Sequence, residues 1–475
     1  MAEVQVISVP VIWVDDNEKR LDASFYAQDV ISARVLLDKL KRKGIPLESL
    51  GNLSSSIFHR TRFKRKYVAA REGYPFLTPT DIFMFSFKPR KYVIDPPEGL
   101  QVDRNWILIT CSGTVGRCII SNKLFLKCIL SHDIIRLVPN CNDILGYIYA
   151  YLNTWMGQAF LSKDRYGATI KHIEPGHVAN ISLPLLPEYY VKEINEKILN
   201  AHRLREEAQE LLVEAEKTFY EELELPPLDD DVVEYLNGKE CKLIKAFTLA
   251  SNELLTARIR LNAYSYLPIC RYARKILAES KGKFDLKKLG DSKVSKKVFT
   301  PPRFKRIYVK NENNGIPLLQ GSHIPLLKYF DIKLIWNKME NLKEYLIKRN
   351  WILVTCSGTV GKVFLVSKFC EGWAATNHMT RILPYEKVNA GYLTIFLQSL
   401  YGFSQLQTLI YGGVVEELGE AGELLGEILV PIPSDSTQEK IGNLVIEAYE
   451  KKDQANMLEN EAVKALEEKL MEAAK

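Results

Sequence analysis

The chain has 475 residues, of which 47% are apolar, and a formal net charge of +6. A chain of this length is too long to fold around one ordinary hydrophobic core, so we expect at least two globular domains. The sequence contains no run of 18 apolar residues, which argues against a membrane-spanning helix. Its eight cysteines form no CxxC or Cys/His pattern, so we expect small buried thiols, no metal site and a cytoplasmic protein.

Taken in chain order, the first distinctive element is a basic segment. Residues 60–71 contain six basic side chains and no acidic one, interleaved with Phe63 and Tyr67. A cluster of cations with aromatic neighbours is typical of surfaces that contact nucleic-acid phosphates. A solvated, functionless face is the alternative interpretation.

The next element is the stretch WILITCSGTVGR at residues 106–117. Its apolar alternation, two nearby glycines and a following apolar run predict a strand, a tight turn and a second strand. Gly113 and Gly116 would supply backbone conformations that other residues avoid. The stretch is not a phosphate-binding P-loop, because only two residues separate its glycines instead of four.

A long helix is predicted at residues 188–225. Its apolar residues recur at spacings of three, four and seven, which is typical of a coiled-coil seam. Such a narrow apolar stripe needs a partner helix, although packing on its own domain is an alternative. The segment ELPPLDDD, which begins at Glu224, then predicts a helix end and a link.

The second half of the chain repeats these elements. WILVTCSGTVGK at residues 351–362 matches the first copy at ten of twelve positions, 245 residues later. A second basic cluster lies at residues 293–310, and a second long helix is predicted at residues 434–475. A period this long indicates tandem homologous domains and not a solenoid. The pattern predicts an α+β protein with two mixed α/β domains, each followed by a long helix.

The repeat gives the domain boundaries. We predict a first globular domain at residues 1–187 and a first long helix at residues 188–225. A linker and second globular domain follow at residues 226–433, and a second long helix occupies residues 434–475. The two helices would pair as an antiparallel coiled coil with pseudo-twofold symmetry.

This organisation resembles the specificity (S) subunit of type I restriction-modification enzymes. The motifs that carry the resemblance are RLDA and RLNA at the domain starts, SGTVGR and SGTVGK in the turns, YGATIKHI with its weaker copy YGGVVEEL, and LPLLP and VPIP before the helices. The likeness covers essentially the whole chain. The family's usual Pro-Pro-x-x-Glu-Gln helix entry is missing, which affects the helix starts and not the fold.

The resemblance implies a function. Each globular domain would be a target-recognition domain that reads one half of a split DNA site. The coiled coil would set the gap between the halves and dock two methyltransferase subunits, with restriction or translocase subunits as further partners. S-adenosylmethionine and ATP would be bound by those partners, so the chain itself would hold no cofactor and catalyse no reaction.

Two sets of candidate residues follow. The residues expected to contact DNA are Arg60, Arg62, Lys64, Arg65, Lys66, Arg117, Lys171, Arg303, Lys305, Arg306 and Lys362. The residues expected to pair the helices are Ile194, Ile198, Ala201, Leu211, Ile441, Val445, Ala448 and Leu458. Side chains that face bases should differ between the repeats, and Lys171 against Glu416 is one such difference.

Two other functions remain open from the residues alone. One is a duplicated nucleotide-binding enzyme that uses the Gly-x-x-Gly turns to hold phosphates. The other is a coiled-coil scaffold that binds only protein. Binding of ATP or S-adenosylmethionine by the isolated chain would favour the enzyme, and salt-dependent DNA binding would exclude the scaffold.

Overall fold

The computed structural model describes residues 8–9, 11, 14, 23–163, 171–227, 247–249, 263–280, 282–411, 416–418 and 421–475. Most of the RLDA and RLNA motifs, most of the two Tyr-Gly motifs and the link after residue 227 lie outside these ranges. The chain divides into two compact units. The first comprises Met1–Phe83, Phe87–Glu206 and Gln454–Lys475, and the second comprises Met84–Ser86 and Glu207–Asp453.

The described part of the first unit contains ten strands. They are β1 (Leu47–Ser49), β2 (Ser54–Phe58), β3 (Tyr67–Val68), β4 (Tyr74–Leu77), β5 (Tyr92–Val93), β6 (Ile107–Thr110), β7 (Cys118–Ile120), β8 (Ile129–Leu130), β9 (Ile134–Pro139) and β10 (Ser182–Pro184). One sheet has the order β2-β9-β6-β7 and a second has the order β3-β5-β4-β8, while β1 pairs with β10. All pairs are antiparallel except β4 with β8.

Helices cover the first sheet of this unit. They are α1 (Gln28–Arg42), α2 (Asn142–Asn153), α3 (Trp155–Lys163), α4 (Pro175–Ala179) and the start of α5 (Glu188–Glu222). Helix α2 is apolar over most of its circumference and is buried along almost its whole length, as expected for a helix at the centre of a core. Its side chains join those of β6 and β7 in one hydrophobic cluster.

The second unit has the same sheet orders. Its strands are β11 (Asp285–Lys288), β12 (Ser295–Phe299), β13 (Tyr308–Val309), β14 (Gly315–Leu319), β15 (Lys333–Trp336), β16 (Ile352–Thr355), β17 (Val363–Leu365), β18 (Ala374–Ala375), β19 (Met379–Pro384), β20 (Ile410–Tyr411), β21 (Glu417–Leu418) and β22 (Leu429–Ile432). They form sheets β12-β19-β16-β17 and β13-β15-β14-β18 and the pairs β11-β22 and β20-β21.

The helices of the second unit complete the architecture. They are α6 (Pro268–Glu279), α7 (Ala390–Gln398), α8 (Leu400–Gln407), α9 (Ala421–Gly426) and the first part of α10 (Asp435–Ala473). The predicted mixed α/β class with long helices is confirmed. Within the described ranges, no helix is both long and apolar enough to cross a membrane.

In the first unit, α5 and α10 contact each other through apolar and polar side chains. Ile194 and Ile198 share a cluster with residues near the end of α10, among them Leu466. Farther along α5, Ala201 and Leu204 pack with Ala455 and Leu458, which come before Leu466 in α10. The helices therefore run in opposite directions in this unit.

A polar group lies in this helix contact. The Arg205 guanidinium forms a buried ion pair with Glu459 and donates to Asn456 Oδ1 at 2.8 Å. The Tyr149 hydroxyl donates to the same Glu459 carboxylate at 3.0 Å. Burial opposes the charge on Arg205, but Glu459 and Tyr149 together outweigh burial and raise the pKa of the guanidinium. The two terminal nitrogens of the guanidinium are therefore partnered, whereas the buried Nε has no hydrogen-bond partner within the described ranges.

In the second unit, the same two helices meet through different side chains. Lys451 Nζ lies 2.9 Å from a Glu207 carboxylate oxygen, and Lys440 Nζ lies 2.6 Å from Glu222. The ammonium of Lys452, which is equivalent to Arg205 in the repeat, lies 4.8–4.9 Å from the centroids of four aromatic rings. These rings belong to Phe85, Tyr329, Phe364 and Tyr449.

The predicted helix-pairing residues differ in how deeply they are buried. Most of them are buried, namely Ile194, Ile198, Ala201, Ile441, Val445 and Ala448. Leu211 and Leu458 are half-buried, and the neighbouring Leu212 is more buried than Leu211. A straight helix drifts by about 20° per heptad relative to a strict seven-residue repeat, which moves the apolar face from one position to the next.

We predict that Glu459→Leu lowers the free energy of unfolding by about 3–5 kcal/mol, because it leaves the buried Arg205 charge without its partner. The double variant Arg205→Met, Glu459→Met should recover most of this loss. Urea unfolding of the full chain measures both. Glu468→Leu is the matched control, since Glu468 is exposed and pairs with Lys464 at 4.0 Å, so its loss should cost less than about 1 kcal/mol. Equal losses for the two single variants would contradict the prediction.

Candidate nucleic-acid interface

The Gly-x-x-Gly stretch forms the predicted turn between two strands in both units. It joins β6 to β7 and β16 to β17. Gly113 and Gly116 have φ angles of +73° and +92°, and both glycines of the second copy have +80°. A side chain at Gly116 would lie 3.3 Å from Leu161, whereas nothing lies within 4 Å of one at Gly113. The inner glycine thus packs on a helix and the outer glycine faces open space.

The backbone amides of this turn already have acceptors. Gly113 N–H donates to Lys171 O at 3.0 Å, and Gly116 N–H donates to Thr110 O at 2.9 Å. In the second copy, Gly358 N–H donates to Glu416 O and Gly361 N–H to Thr355 O, both at 2.9 Å. Amides that bind the chain itself cannot cradle a phosphate, so the geometry speaks against a nucleotide loop at these glycines.

A buried arginine lies beside each turn. Arg136 on β9 is completely buried, and its guanidinium donates to the carbonyl oxygens of Leu130, Ser131 and Ile134 at 3.2, 3.3 and 2.7 Å. The guanidinium of Arg381 on β19 donates to the carbonyl oxygens of Ala375, Thr376 and Met379. Burial lowers the pKa of both guanidinium groups to about 10, which still leaves them charged at neutral pH.

The loops held by these arginines contact the basic segments, which we define as residues 60–66 and 303–306. Arg65 Nη2 lies 3.2 Å from His132 Nδ1, and its guanidinium stacks 4.7 Å from the centre of the Phe76 ring. Arg306 Nη2 donates to Asn377 Oδ1 at 3.3 Å. Burial is the main cause of the lowered pKa of His132, and nearby arginines add to it. Arg65 and Arg306 therefore fix their segments to the domain.

The predicted DNA-contact residues divide by exposure. The exposed ones are Arg60, Arg62, Lys64, Lys66, Lys171, Arg303 and Lys305. The half-buried ones are Arg65, Arg117, Arg306 and Lys362. Arg60 lies over the Phe58 ring at 4.7 Å and Lys362 over the Phe403 ring at 6.0 Å. The first unit brings its basic segment, the turn and Lys171 to one region, and the second unit repeats this with Glu416 in place of lysine.

The sequence analysis missed several residues of this region. Arg136 and Arg381 are the most important, and His132 and Asn377 are the side chains that receive the anchoring arginines. The signal was present, because IIRLVP and MTRILP each contain one arginine inside an otherwise uncharged strand. His59 was also missed, and its Nε2 lies 2.8 Å from a Glu174 carboxylate oxygen.

The thiols beside the turns are poorly suited to catalysis. Burial, assisted by Asp133 and Glu174, raises the pKa of Cys111 to about 12, and burial also raises that of Cys356. A thiol needs a lowered pKa to act as a nucleophile. Cys141 is exposed, so the expectation that all cysteines are buried is wrong there. In the parts of the chain that the structure describes, no group of three or more His, Cys, Asp or Glu side chains could hold a metal.

We predict that Arg381→Met lowers the free energy of unfolding by about 2–4 kcal/mol, because three buried carbonyl groups lose their donor. Chemical unfolding followed by circular dichroism measures the change. Arg349→Met is the control, since Arg349 is exposed and pairs with Glu450 at 2.8 Å, a contact worth less than about 1 kcal/mol. An Arg381→Met variant as stable as the control would contradict the role given to this guanidinium.

Part of this chain is similar to a known protein family. Residues 282–463 match the family described as "Type I restriction modification DNA specificity domain". No curated protein matches the chain. The S subunit of a type I restriction-modification system from M. genitalium is 12% identical, with 90% of this chain and 95% of that chain covered and a TM-score of 0.31. The HsdS subunit from Thermoanaerobacter tengcongensis is 13% identical, with 90% and 96% covered and a TM-score of 0.27. The family match confirms the resemblance inferred from the repeats, and it covers residues 282–463.

Proposed function

We propose that the whole chain is the DNA specificity (S) subunit of a type I restriction-modification complex. The single observation that carries the proposal is that each repeat contains the same turn, the same buried arginine and a basic segment. Its exposed cations have the chemistry that backbone phosphates require. A DNA site in two halves needs two copies of one reader, and each repeat would read one half.

The finer architecture is part of this proposal. The target-recognition domains would occupy residues 1–187 and 226–433, and the helices at residues 188–225 and 434–475 would form an antiparallel coiled coil with pseudo-twofold symmetry. The contact of Arg205 with Glu459 supports the pairing, as do the ion pairs of Lys451 with Glu207 and Lys440 with Glu222. The coiled coil would set the gap in the DNA site.

The chain would supply recognition and no catalysis. Two methyltransferase subunits would dock on it and bind S-adenosylmethionine, and a restriction or translocase subunit, where one joins, would use ATP. The raised pKa values of Cys111 and Cys356 support a non-catalytic role for the repeat. We propose a cytoplasmic location, which the seven unbridged cysteines among the described residues support.

The direct test is to co-express the chain with candidate methyltransferase subunits in cells without other DNA methylation. Mapping methylated bases across the genome should give one motif with two specific halves and a fixed gap. Omitting the chain should abolish methylation at that motif. Methylation that is independent of the chain, or a single continuous motif, would contradict the proposal.

We predict that Arg62→Glu, Lys64→Glu and Lys66→Glu together weaken DNA binding and flatten its salt dependence. Each lost phosphate contact should reduce the log–log salt slope by about 0.9, so by about 2.7 for three. Arg65 is left intact because it anchors the segment through His132. Titration of the methyltransferase complex on a duplex carrying the motif measures the slope.

The matched control makes the same charge change on another surface. Lys39→Glu, Lys41→Glu and Lys43→Glu alter exposed residues at the end of α1. This control should leave the salt slope close to that of the unaltered chain. Identical salt slopes for both triple variants would show that the basic segment is a solvated surface that makes no contacts with DNA.

We predict that one heptad inserted after Ala208 and another after Ala455 lengthens the gap in the methylated motif. Seven residues add about 10 Å at 1.5 Å per residue, or about three base pairs at 3.4 Å each. Three base pairs also rotate one half-site by about a third of a turn, so occupancy should fall. Genome-wide methylation mapping measures both effects. An unchanged gap would show that the helices do not set the spacing.

A further inference from the structure

The segment paired with each Gly-x-x-Gly turn carries opposite charge in the two repeats. We call residues 171–173 and 416–418 the ledge of each repeat. The first ledge begins with Lys171 and His172, and the second begins with Glu416 and Glu417. Lysine and histidine offer hydrogen-bond donors, whereas glutamate carboxylates offer acceptors.

The two ledges are equivalent in their backbone contacts. The outer glycine of the turn donates its N–H to Lys171 O at 3.0 Å in the first repeat and to Glu416 O at 2.9 Å in the second. Ser112 forms an isolated antiparallel bridge with His172, and Ser357 forms the same bridge with Glu417. Equivalent scaffolds therefore present side chains of opposite hydrogen-bonding character.

The ledges face the surface where DNA is proposed to bind. Lys171 and Glu416 are exposed, and neither makes an ion pair within the described ranges. The turn glycines that they contact have open space where a side chain would project. In the second unit, burial is the main cause of the lowered pKa of His378, Arg306 and Arg303 add to it, and Glu417 opposes it. The ledge and the basic segment therefore both lie close to His378.

The second residue of each ledge is held in place. His172 Nδ1 lies 2.8 Å from Ser112 Oγ. A Glu417 carboxylate oxygen accepts from the Tyr411 hydroxyl at 3.1 Å, and the other lies 3.5 Å from Ser357 Oγ. Side chains whose rotamers are fixed by neighbours can discriminate between ligands better than mobile ones.

We propose that the ledges are specificity-determining elements that read base edges of opposite character in the two half-sites. Lysine donates to guanine O6 and N7, and glutamate accepts from the N4 amino group of cytosine in the major groove. The base that contacts the first ledge is therefore guanine, and the base that contacts the second ledge is cytosine. This inference rests on the proposed function.

The experiment exchanges the ledges in the full chain, co-expressed with its methyltransferase subunits. Lys171→Glu with His172→Glu should change one base position in one half-site and leave the other half-site and the gap unchanged. Glu416→Lys with Glu417→His should change one position in the other half-site. Lys43→Glu, on an exposed surface of the first unit, is the control and should leave the motif unaltered.

Smaller substitutions cover the case in which the exchanges disturb folding. Lys171→Gln and Glu416→Gln remove the charge and keep similar size, and each should reduce discrimination at one base position by about tenfold, the effect of losing one good base contact. An unaltered motif in both, changes in both half-sites from one variant, or complete loss of methylation would overturn the proposal. Failure of the proposed function is distinct, because the unaltered chain would then direct no bipartite methylation.

Discussion

The buried guanidinium of Arg136, with its counterpart Arg381, is the interaction on which the candidate interface depends. Its bonds to three carbonyl groups fix the loop between β8 and β9. That loop accepts the Cys111 N–H at the start of the turn through Asp133 O at 3.0 Å. It also carries His132, which contacts Arg65 of the basic segment. One charged group, which has no carboxylate partner among the described residues, thus aligns the turn and the basic segment.

Burying that charge is costly, and burial is the main cause that lowers the pKa of Arg136 to about 10. The carbonyl groups offset part of the cost, because hydrogen bonds to charged donors are stronger than neutral ones. The positive charge of Arg60 repels the Arg136 guanidinium and lowers its pKa further. An anionic ligand on this surface would relieve the repulsion, which agrees with a site for DNA phosphates.

Sequence patterns predicted the elements that depend on local periodicity. The strand–turn–strand around Gly113 and the long helices follow from alternation and heptad spacing, both of which are properties of contiguous residues. The partners of charged residues could not be predicted in this way. Arg205 and Lys452 are equivalent in the repeat, yet Arg205 contacts a carboxylate 254 residues away and Lys452 contacts aromatic rings. Only the tertiary fold decides which side chain faces a charge in a helix seam.

Because the two repeats share one fold, comparing them separates the residues that maintain the fold from the residues that form its surface. The residues that recur, such as Thr110 with Thr355 and Arg136 with Arg381, bond to backbone atoms, so their role is independent of neighbouring side chains. The residues that differ bond to side chains or face solvent, as His132 and Lys171 do. Exchange at such positions alters the surface chemistry without altering the backbone beneath it. A single fold can therefore present two surfaces of different chemistry.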